Sequence, residues 1–425
     1  MTRRIFTLLL WLLLPWALLH LLWRSRRQKE YLHHWGERFG YYATQSDQPV
    51  IWIHAVSVGE TRAAQPLVKA LREKYPAHRI LLTQTTPTGR QTGIELFGDT
   101  VERIYLTYDF PAAAKRFLDH WRPEFGLIME TELWPNVIVE CKTRRIPLML
   151  VNGRLSEKSA RRYACFATLT HEALNNLAGV AAQTDSDARR LAALGAPSVV
   201  TLGNLKFDIT PPAVQLTLGA RFRQLIGTRR VLLCASTREG EEALILDAWM
   251  RSPIPGALLV LVPRHPQRVK DVAGLVGLRC LKWQCRSSID TVEADTQVWI
   301  GDSMGEMFAY YAACDIAFVG GSLIDHGGQN LIEPCAIGRP VLIGPSTFNF
   351  ARAADDAVAA GACRRVANAE EMMSATVSLL EDAQLREDMS QKALVFASAH
   401  RGATQRTMEW IDSVLEKRST HKWQK

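Results

Sequence analysis

Residues 50–60 read VIWIHAVSVGE, an apolar run that ends in a polar turn just before a helical pattern. Amphipathic stretches such as 62–75 and 112–121 separate this run from further apolar runs. These further runs lie at 79–85, 103–108, 125–131, 147–153, 179–184 and 198–204. Continuous apolar strands that alternate with helices indicate a parallel sheet covered on both faces. We therefore expect a doubly wound α/β domain in this half of the chain.

A second series of apolar runs follows the first. Its members lie at 231–236, 257–265, 297–302, 316–322 and 340–346. The segment FDITPPAVQ (207–215) lies between the two series, and its paired prolines are typical of a linker. We expect two Rossmann-like doubly wound domains, which face each other across a cleft at the carboxyl ends of their strands. Their expected bounds are 30–206 and 226–425, with a linker at 207–225 and a helical tail from about residue 370.

Composition sets the broad class of this protein. The chain has 425 residues, of which 47% are hydrophobic, and this fraction excludes wholesale disorder. Its 51 Lys and Arg against 43 Asp and Glu give a net charge of +8, which suits a membrane, a phosphorylated substrate or a nucleic acid without choosing among them. The eight cysteines are scattered without a CxxC pair. We therefore expect neither a zinc cluster nor disulfides, and a reduced, cytosolic body.

The N-terminal segment has the properties of a membrane anchor. Residues 5–23 contain no charge, and basic residues flank them on both sides. A helix of this length spans about 28 Å, close to the thickness of a bilayer core. No cleavage site of the A-x-A kind follows, so an anchor is favoured over a signal peptide. The heavier basic flank, at Arg24, Arg26, Arg27 and Lys29, places the rest of the chain in the cytoplasm; the helix either spans the bilayer or lies in its interface.

The turn after the first strand holds the first candidate catalytic residue. Ser57 and Gly59 allow a tight turn, and the next helix is expected to begin near Glu60. A glutamate at this position is either a favourable partner of the helix dipole or a general base raised into the cleft.

A second acidic turn is METELWPN (129–136), again directly after a predicted strand. Glu130 and Glu132 occupy alternate positions there. They form either a functional carboxylate edge or simply the start of the next helix before Pro135.

Two basic stretches lie after later strands of the same series. NGRLSEKSARR (152–162) gathers cations near a helix start, which suits an anionic ligand or a solvated helix face equally well. These cations are Arg154, Lys158, Arg161 and Arg162. GNLKFD (203–208) places Lys206 at the junction between the domains.

The second domain carries residues suited to an anionic ligand. PRHPQR (263–268) places Arg264 and His265 at a strand end. SMGEMFAYY (303–311) is expected to start a helix with Gly305, whose backbone amide can approach a phosphate. Paired glycines at 320–321 and 327–328 indicate either backbone approach to a ligand or close packing. Asn330 and Glu333 open the next helix, where a glutamate commonly holds a sugar hydroxyl pair. There is no GxxxxGK[ST] P-loop, and a metal site has little support.

These stretches together resemble the 3-deoxy-D-manno-octulosonic acid (Kdo) transferases of lipopolysaccharide synthesis in Gram-negative bacteria. The matching motifs, in order, are WGERFG, HAVSVGE, METELWPN, NGRLS, GNLKFD, STREGEE, VPRHPQR, GDSMGEM and GGSL…GGQNLIEP. Each motif is weak alone, but their common order from the anchor to about residue 350 is specific. The resemblance implies a GT-B-type glycosyltransferase that moves Kdo from CMP-Kdo to the lipid A precursor, lipid IVA, by inversion.

The resemblance also implies roles for particular residues. Glu60 is then the general base, and Glu130 and Lys206 support the transition state. The residues implied in CMP binding are Pro263, Arg264, Gly305, Glu306, Met307, Asn330, Leu331, Ile332 and Glu333. We expect Ser57, Gly59 and Arg154 to contact the acceptor. No metal or other cofactor is expected, and the site of action is the cytoplasmic face of the inner membrane, in contact with its lipids.

Two other functions stay open at this point. One is a transferase or an epimerase of the same fold that uses another sugar nucleotide. The other is a membrane-tethered scaffold or nucleic-acid-binding protein, suggested only by the isoelectric point of about 9.1. No recognised nucleic-acid motif is present and the strand-end turns carry acids as well as bases, so we expect no nucleic-acid partner.

Overall fold

The computed structural model describes residues 1–26, 29–43, 48–288 and 291–422. It divides into two compact units. The first unit contains residues 1–208 together with 401–425, and the second contains residues 209–400. Arg27, which belongs to the predicted basic flank, lies outside the described residues.

The first unit is built on a seven-stranded parallel sheet. Its strands are β1 (Val50–His54), β2 (Arg79–Gln84), β3 (Glu102–Tyr105), β4 (Pro123–Met129), β5 (Leu148–Gly153), β6 (Gly179–Ala182) and β7 (Val199–Thr201). Their spatial order is β3-β2-β1-β4-β5-β6-β7. The order reverses between β1 and β4, as it does in Rossmann folds, where ligands bind beyond the carboxyl ends of the strands at this point.

The second unit contains another seven-stranded parallel sheet. Its strands are β8 (Val231–Thr237), β9 (Leu258–Pro263), β10 (Trp283–Cys285), β11 (Val298–Ile300), β12 (Ile316–Val319), β13 (Val341–Ile343) and β14 (Cys363–Arg365). The spatial order is β10-β11-β9-β8-β12-β13-β14, so the reversal lies between β8 and β12.

Helices connect the strands in both units. Those before residue 208 are α1 (Arg3–Ser25), α2 (Val58–Lys74), α3 (Pro87–Phe97), α4 (Pro111–Trp121), α5 (Pro135–Thr143), α6 (Glu157–Cys165), α7 (Ala167–Asn175) and α8 (Asp185–Ala193). The later ones are α9 (Ala213–Ile226), α10 (Glu241–Arg251), α11 (Val269–Gly277), α12 (Met307–Ala313), α13 (Ile332–Ala336), α14 (Ala351–Ala359), α15 (Ala369–Glu381), α16 (Ala383–Ala399) and α17 (Ala403–Lys422). Short 3₁₀ turns include Leu205–Phe207.

Burial on both faces explains why these strands are apolar without alternation. In β1, successive side chains enter opposite clusters, with Ile51 and Ile53 on one face and Trp52 on the other. All five residues of β1 are buried. The predicted fold of two doubly wound α/β domains is therefore confirmed. Their predicted placement across a cleft stays a prediction.

Two edge strands were not predicted. They are β10 and β14, each of three residues, with partly exposed side chains. Their sequences, WQC and CRR, contain polar side chains, so the continuous apolar run that identified the other strands is missing here.

The predicted domain bounds differ from the structure at the C-terminal end. The last helix, α17, packs in the core of the first unit through Met408, Trp410 and Ile411, although we predicted that residues 226–425 form one domain. The Asp208 carboxylate accepts hydrogen bonds from the backbone N–H groups of Gly402 and Thr404 and so fixes the return of the chain. An apolar helix face does not reveal which of two similar sheets it covers.

The predicted linker at 207–225 is also wrong for most of its length. Residues 213–226 form α9, which belongs to the second unit and packs on α12. A Cβ at Gly219 would lie 2.5 Å from the Cβ of Ala312, so the two helices touch closely. The paired prolines predicted the break correctly, but they stand just before a helix rather than inside a longer linker.

In the described part of the chain, one helix is long and apolar enough to cross a membrane. It covers Arg3–Trp23, with a mean hydropathy of 2.2, and only 6% of its most apolar stretch is buried inside the protein. Length and composition alone carry this finding, and a signal sequence near an N-terminus has the same properties. Its first turns contact the rest of the first unit, since Arg3 pairs with Glu172 and Thr7 bonds to Asn136.

Candidate active site

The turn between β1 and α2 folds Glu60 back onto its own strand end. Ser57 is the N-cap of α2, and its Oγ accepts from the Glu60 N–H at 3.4 Å. The Val56 N–H donates to Glu60 Oε2 at 2.5 Å. Helix α2 begins at Val58, two residues before the predicted start near Glu60. Glu60 therefore lies inside the first turn of the helix. Its carboxylate therefore lies at the carboxyl end of β1, beside the reversal of strand order.

The surroundings of Glu60 favour its protonated form. The residue is only 8% exposed. Burial, and next the negative charge of Glu130, raise the pKa of Glu60 from 4.5 to about 7, while the charge of Glu132 acts in the same direction. Hydrogen bonds from Val56 and Ser57 oppose this rise. A carboxyl group with a pKa near neutrality can both accept and release a proton at physiological pH.

Glu130 lies on the other side of the strand reversal, directly after β4. Its backbone has a φ of 56°, a left-handed conformation that non-glycine residues seldom adopt. Its N–H donates to Val151 O at 3.0 Å. Its Oε1 accepts a hydrogen bond from Lys206 Nζ at 3.1 Å. Three predicted catalytic residues from separate segments, Glu60, Glu130 and Lys206, therefore meet at one edge of the sheet.

The predicted acceptor residues lie around this cluster in different environments. Ser57 caps α2, and a Cβ on Gly59 would meet little apart from Ser57 Oγ at 3.8 Å. The expected tight turn is absent, because Gly59 lies inside the helix. The backbone oxygen of Arg154 accepts a hydrogen bond from Thr131, next to Glu130, and Arg154 itself is exposed.

The four predicted cations lie around the start of α6. Arg154 precedes the helix, and the other three lie on it at exposed positions. Of these, Arg161 pairs with Glu157 on the same helix. A solvated helix face explains that pair without a ligand.

In the second unit, a buried glutamate connects the two sides of the strand reversal. Glu241 begins α10 and is fully buried. Its carboxylate accepts hydrogen bonds from the backbone N–H groups of Arg238, Gly321, Ser322 and Leu323 at 2.6–2.9 Å. Sequence reasoning did not identify this residue, although it belongs to the STREGEE motif. The available signal was a glutamate directly after the glycine of a strand-end turn.

The glycine pair after β12 serves close packing at least in part. A Cβ at Gly320 would lie 2.7 Å from the Cα of Thr237, so only glycine fits between the two strand ends. Gly321 has a φ of 70° and donates to Glu241. The packing alternative therefore applies to Gly320.

The loop after β9 brings basic side chains to the same sheet edge. The Arg264 N–H donates to Thr237 O at 2.9 Å, which fixes the loop directly beyond Pro263. Arg238 Nη1 donates to His265 Nε2 at 2.9 Å. Partial burial, and then the charges of Arg238 and Arg264, lower the pKa of His265. Positive charge thus gathers where the first unit gathers negative charge.

The segment from Gly305 to Met307 differs from the prediction. Helix α12 begins at Met307, not at Gly305. Gly305 has a φ of 76°, a left-handed conformation that favours glycine even though there is room for a side chain at this position. Glu306 is the N-cap, and its carboxylate pairs with Arg286 and accepts from Ser303. The helix begins two residues later because Gly305 is outside the helical conformation.

The segment 330–333 forms a local cap at the start of α13. Asn330 Oδ1 accepts from the Ile332 N–H at 3.0 Å, and its Nδ2 donates to Glu333 Oε1 at 3.1 Å. Leu331 and Ile332 are buried in the core. Of these four predicted residues, Asn330 and Glu333 therefore have polar side chains, while Leu331 and Ile332 have polar groups only in their backbone.

A family model and two full-length relatives agree on the kind of protein. Residues 33–209 match the family model described as 3-Deoxy-D-manno-octulosonic-acid transferase, and residues 275–395 match that of glycosyl transferases group 1. A 3-deoxy-D-manno-octulosonic acid transferase from Bordetella pertussis is 42% identical over 98% of this chain and all of its own. Another from Haemophilus influenzae is 36% identical, with the same coverage.

A solved structure supports the fold alone. UDP-GlcNAc 2-epimerase from Neisseria meningitidis superposes on 87% of this chain and all of its own with a TM-score of 0.56 at 16% identity. Together with the full-length relatives, the matched family model establishes that this chain belongs to the 3-deoxy-D-manno-octulosonic acid transferase family of glycosyltransferases.

Proposed function

We propose that this protein is an inverting glycosyltransferase that moves Kdo from CMP-Kdo to the lipid A precursor, lipid IVA. Family membership supports the transfer of Kdo. The observation that carries the chemistry is the buried carboxyl of Glu60 at the strand reversal, with its pKa raised to about 7. At the strand reversal of the second unit, the buried carboxylate of Glu241 instead accepts four backbone hydrogen bonds.

Glu60 is the general base in this proposal. The acceptor oxygen attacks the anomeric carbon of Kdo while its proton passes to Glu60. The bond between that carbon and the CMP phosphate breaks on the opposite face, and CMP leaves. Such a displacement needs one base on the attacking side, and a base with a pKa near the working pH serves it well.

Glu130 and Lys206 support the same step. The Lys206 ammonium lies 3.1 Å from Glu130 Oε1, so it lessens the negative charge that the Glu60 carboxylate meets. The pair also carries hydrogen-bonding groups beside the reacting oxygen, where fixed dipoles stabilise developing charge. Ser57, Gly59 and Arg154 contact the acceptor, with Arg154 suited to one of its phosphates.

The second unit binds the donor in this proposal. Arg264 offsets the charge of the leaving phosphate, and Pro263 shapes the loop that carries it. The remaining contacts come from two segments, Gly305–Glu306–Met307 and Asn330–Leu331–Ile332–Glu333. Asn330 holds Glu333 at 3.1 Å, which orients the carboxylate for a pair of sugar hydroxyls.

The membrane places the protein beside its acceptor. The exposed apolar side chains of α1 include Trp11, Trp16 and Trp23, which suit a bilayer and its interface. We propose attachment to the inner membrane with both units on the cytoplasmic face.

Mass spectrometry of the products tests this function. Purified full-length protein, CMP-Kdo and tetraacylated lipid A precursor should give a product heavier by one or more Kdo residues. UDP-sugars in place of CMP-Kdo should give none. Transfer from a UDP-sugar, or no Kdo product with folded protein, would contradict the proposal.

A further inference from the structure

Strand β5 ends in an unusual backbone conformation at Asn152. The residue has a φ of 55°, in the left-handed region, and it is 2% exposed. The pairing of β5 with β6 is irregular between Leu150 and Gly153, so the strand bends here. Glycine would adopt this backbone without strain, so the conformation alone does not require an amide side chain.

The side chain of Asn152 holds the segment that carries Lys206. Its Oδ1 accepts a hydrogen bond from the Leu205 N–H at 3.0 Å, in a buried position. Since a backbone N–H can only donate, the atom that faces Leu205 must be the amide oxygen. In the part of the chain that the structure describes, Asn152 Nδ2 has no hydrogen-bond partner. The bond to Leu205 is therefore the principal contact of this amide.

Leu205 and Lys206 belong to the same 3₁₀ turn, Leu205–Phe207. Asn204 Oδ1 accepts from the Lys206 N–H at 3.0 Å, and Leu205 is fully buried. Two side-chain amide oxygens thus hold two successive backbone N–H groups of the turn. From this turn, Lys206 Nζ reaches Glu130 Oε1 at 3.1 Å.

Asn152 also lies beside the backbone that holds Glu130. The Glu130 N–H donates to the carbonyl of Val151, the residue before Asn152. On the other side, Gln183 Nε2 donates to the backbone oxygen of Asn152 at 3.0 Å. The end of β5 therefore fixes both partners of the ion pair, Glu130 through its backbone and Lys206 through the side chain of Asn152.

We propose that Asn152 is a positioning residue, whose amide oxygen holds the Leu205–Phe207 turn so that the Lys206 ammonium stays on Glu130. Asn152 thereby controls the negative charge of Glu130 that acts on Glu60. This inference rests on the proposed role of Glu60 as the base. The charged groups that act on Glu60 are Glu130 and Glu132, both from the turn after β4. Lys206 enters this cluster through Glu130.

The pH dependence of kcat tests the proposal. Asn152→Gly removes the amide but keeps the backbone conformation. The ion pair between Lys206 and Glu130 should then break more often. The negative charge of Glu130, which Lys206 no longer balances, should raise the pKa of Glu60. The acid limb of the profile is expected to move to higher pH by about half a unit to one unit. Lys206→Met should move it in the same direction by about one unit or more.

A matched control is Asn368→Gly in the second unit. Asn368 caps α15, and its Oδ1 accepts from the Glu371 N–H at 2.9 Å, so the variant loses the same kind of bond in the unit that contains none of the predicted catalytic residues. Its acid limb should match that of the unaltered protein. Thermal unfolding of all three variants confirms that each is folded.

The outcomes separate this proposal from the proposed function. If Lys206→Met moves the acid limb and Asn152→Gly does not, Asn152 does not position Lys206 and the inference is wrong. If neither variant moves it and Glu60→Gln keeps full turnover, the proposed role of Glu60 fails instead. A shift in Asn368→Gly as large as that in Asn152→Gly would assign the effect to general loosening and would also overturn the inference.

Discussion

The two strand reversals of this molecule have the same backbone architecture and opposite chemistry. In the first unit, Glu60 after β1 and Glu130 after β4 bring two acids together, with Lys206 on one of them. In the second unit, Glu241 lies after β8, but its carboxylate accepts four N–H groups, three of them from the segment after β12. The fold thus supplies the position, and the turns decide whether a carboxyl group faces other acids or is held by backbone N–H groups.

This difference supports the proposed division of the reaction between the two units. A buried acid whose charge is poorly balanced keeps a proton near neutral pH and suits proton transfer. A carboxylate held by backbone N–H groups orders a loop, and the loops around it carry Arg238 and Arg264. We therefore place base catalysis in the first unit and recognition of the anionic donor in the second.

The largest expected effect comes from replacing the proposed base in the first unit. Glu60→Gln keeps the size of the side chain and an oxygen for the Val56 N–H, but it cannot take the acceptor proton. The kcat should fall by about 10²–10⁴-fold, while CMP-Kdo binding stays nearly unchanged. Steady-state kinetics with lipid acceptor and isothermal titration with CMP-Kdo measure the two quantities.

Glu73→Gln is the matched control for that variant. Glu73 lies on the same helix, α2, with an exposed side chain that pairs only with Lys69 in the described structure. Its kcat should be nearly that of the unaltered protein. Near-normal turnover in folded Glu60→Gln would remove Glu60 from the mechanism and make Glu130 the next candidate base.

A smaller effect tests the donor side. Arg264→Ala and Glu333→Ala should each raise the KM for CMP-Kdo by about 10–100-fold, because hydrogen bonds to charged groups contribute about 1.5–3 kcal/mol. Affinity for the lipid acceptor should change little. Arg251→Ala, which removes an exposed arginine paired with Glu370 in the same unit, serves as the control. An unchanged KM for CMP-Kdo with weakened lipid binding would reverse the assignment of the two units.

The smallest expected effect comes from removing the negative charge of Glu130 beside Glu60. Glu130→Gln removes the negative charge that helps to raise the pKa of Glu60. The pKa of Glu60 should fall, so its basic form persists to lower pH. The acid limb of the kcat profile should move down by about one unit, even though kcat itself also falls. An acid limb that stays in place, or one that moves up, would show that Glu130 does not act on Glu60 through its charge.

Most of the fold follows from the sequence because buried parallel strands are apolar without interruption. All seven strands of the first sheet, including β1 and β4, coincide with predicted apolar runs. The strands β10 and β14 lack that signal because their three residues, WQC and CRR, include polar side chains. The packing of α17 on the first unit could not be predicted, because it depends on contacts almost 200 residues apart, such as Asp208 with Gly402.

The candidate site could be predicted in part for the same reason. Residues that directly follow a buried strand must lie at the carboxyl edge of the sheet, which identified Glu60, Glu130 and Arg264. The roles of Glu241 and Asn152 depend on which backbone N–H groups lie opposite them. Those partners, such as Gly321 and Leu205, come from other segments and leave no local pattern in the sequence.

A direct titration of the Glu60 carboxyl tests the central claim most closely. Glutamate labelled with ¹³C at the side-chain carboxyl, in the full chain, gives resonances whose pH dependence can be followed by NMR. The Glu60 resonance is identified by its absence in Glu60→Gln. We predict that it titrates with a midpoint near pH 7, as burial and the charge of Glu130 require. A midpoint at or below the ordinary value of 4.5 would contradict the account.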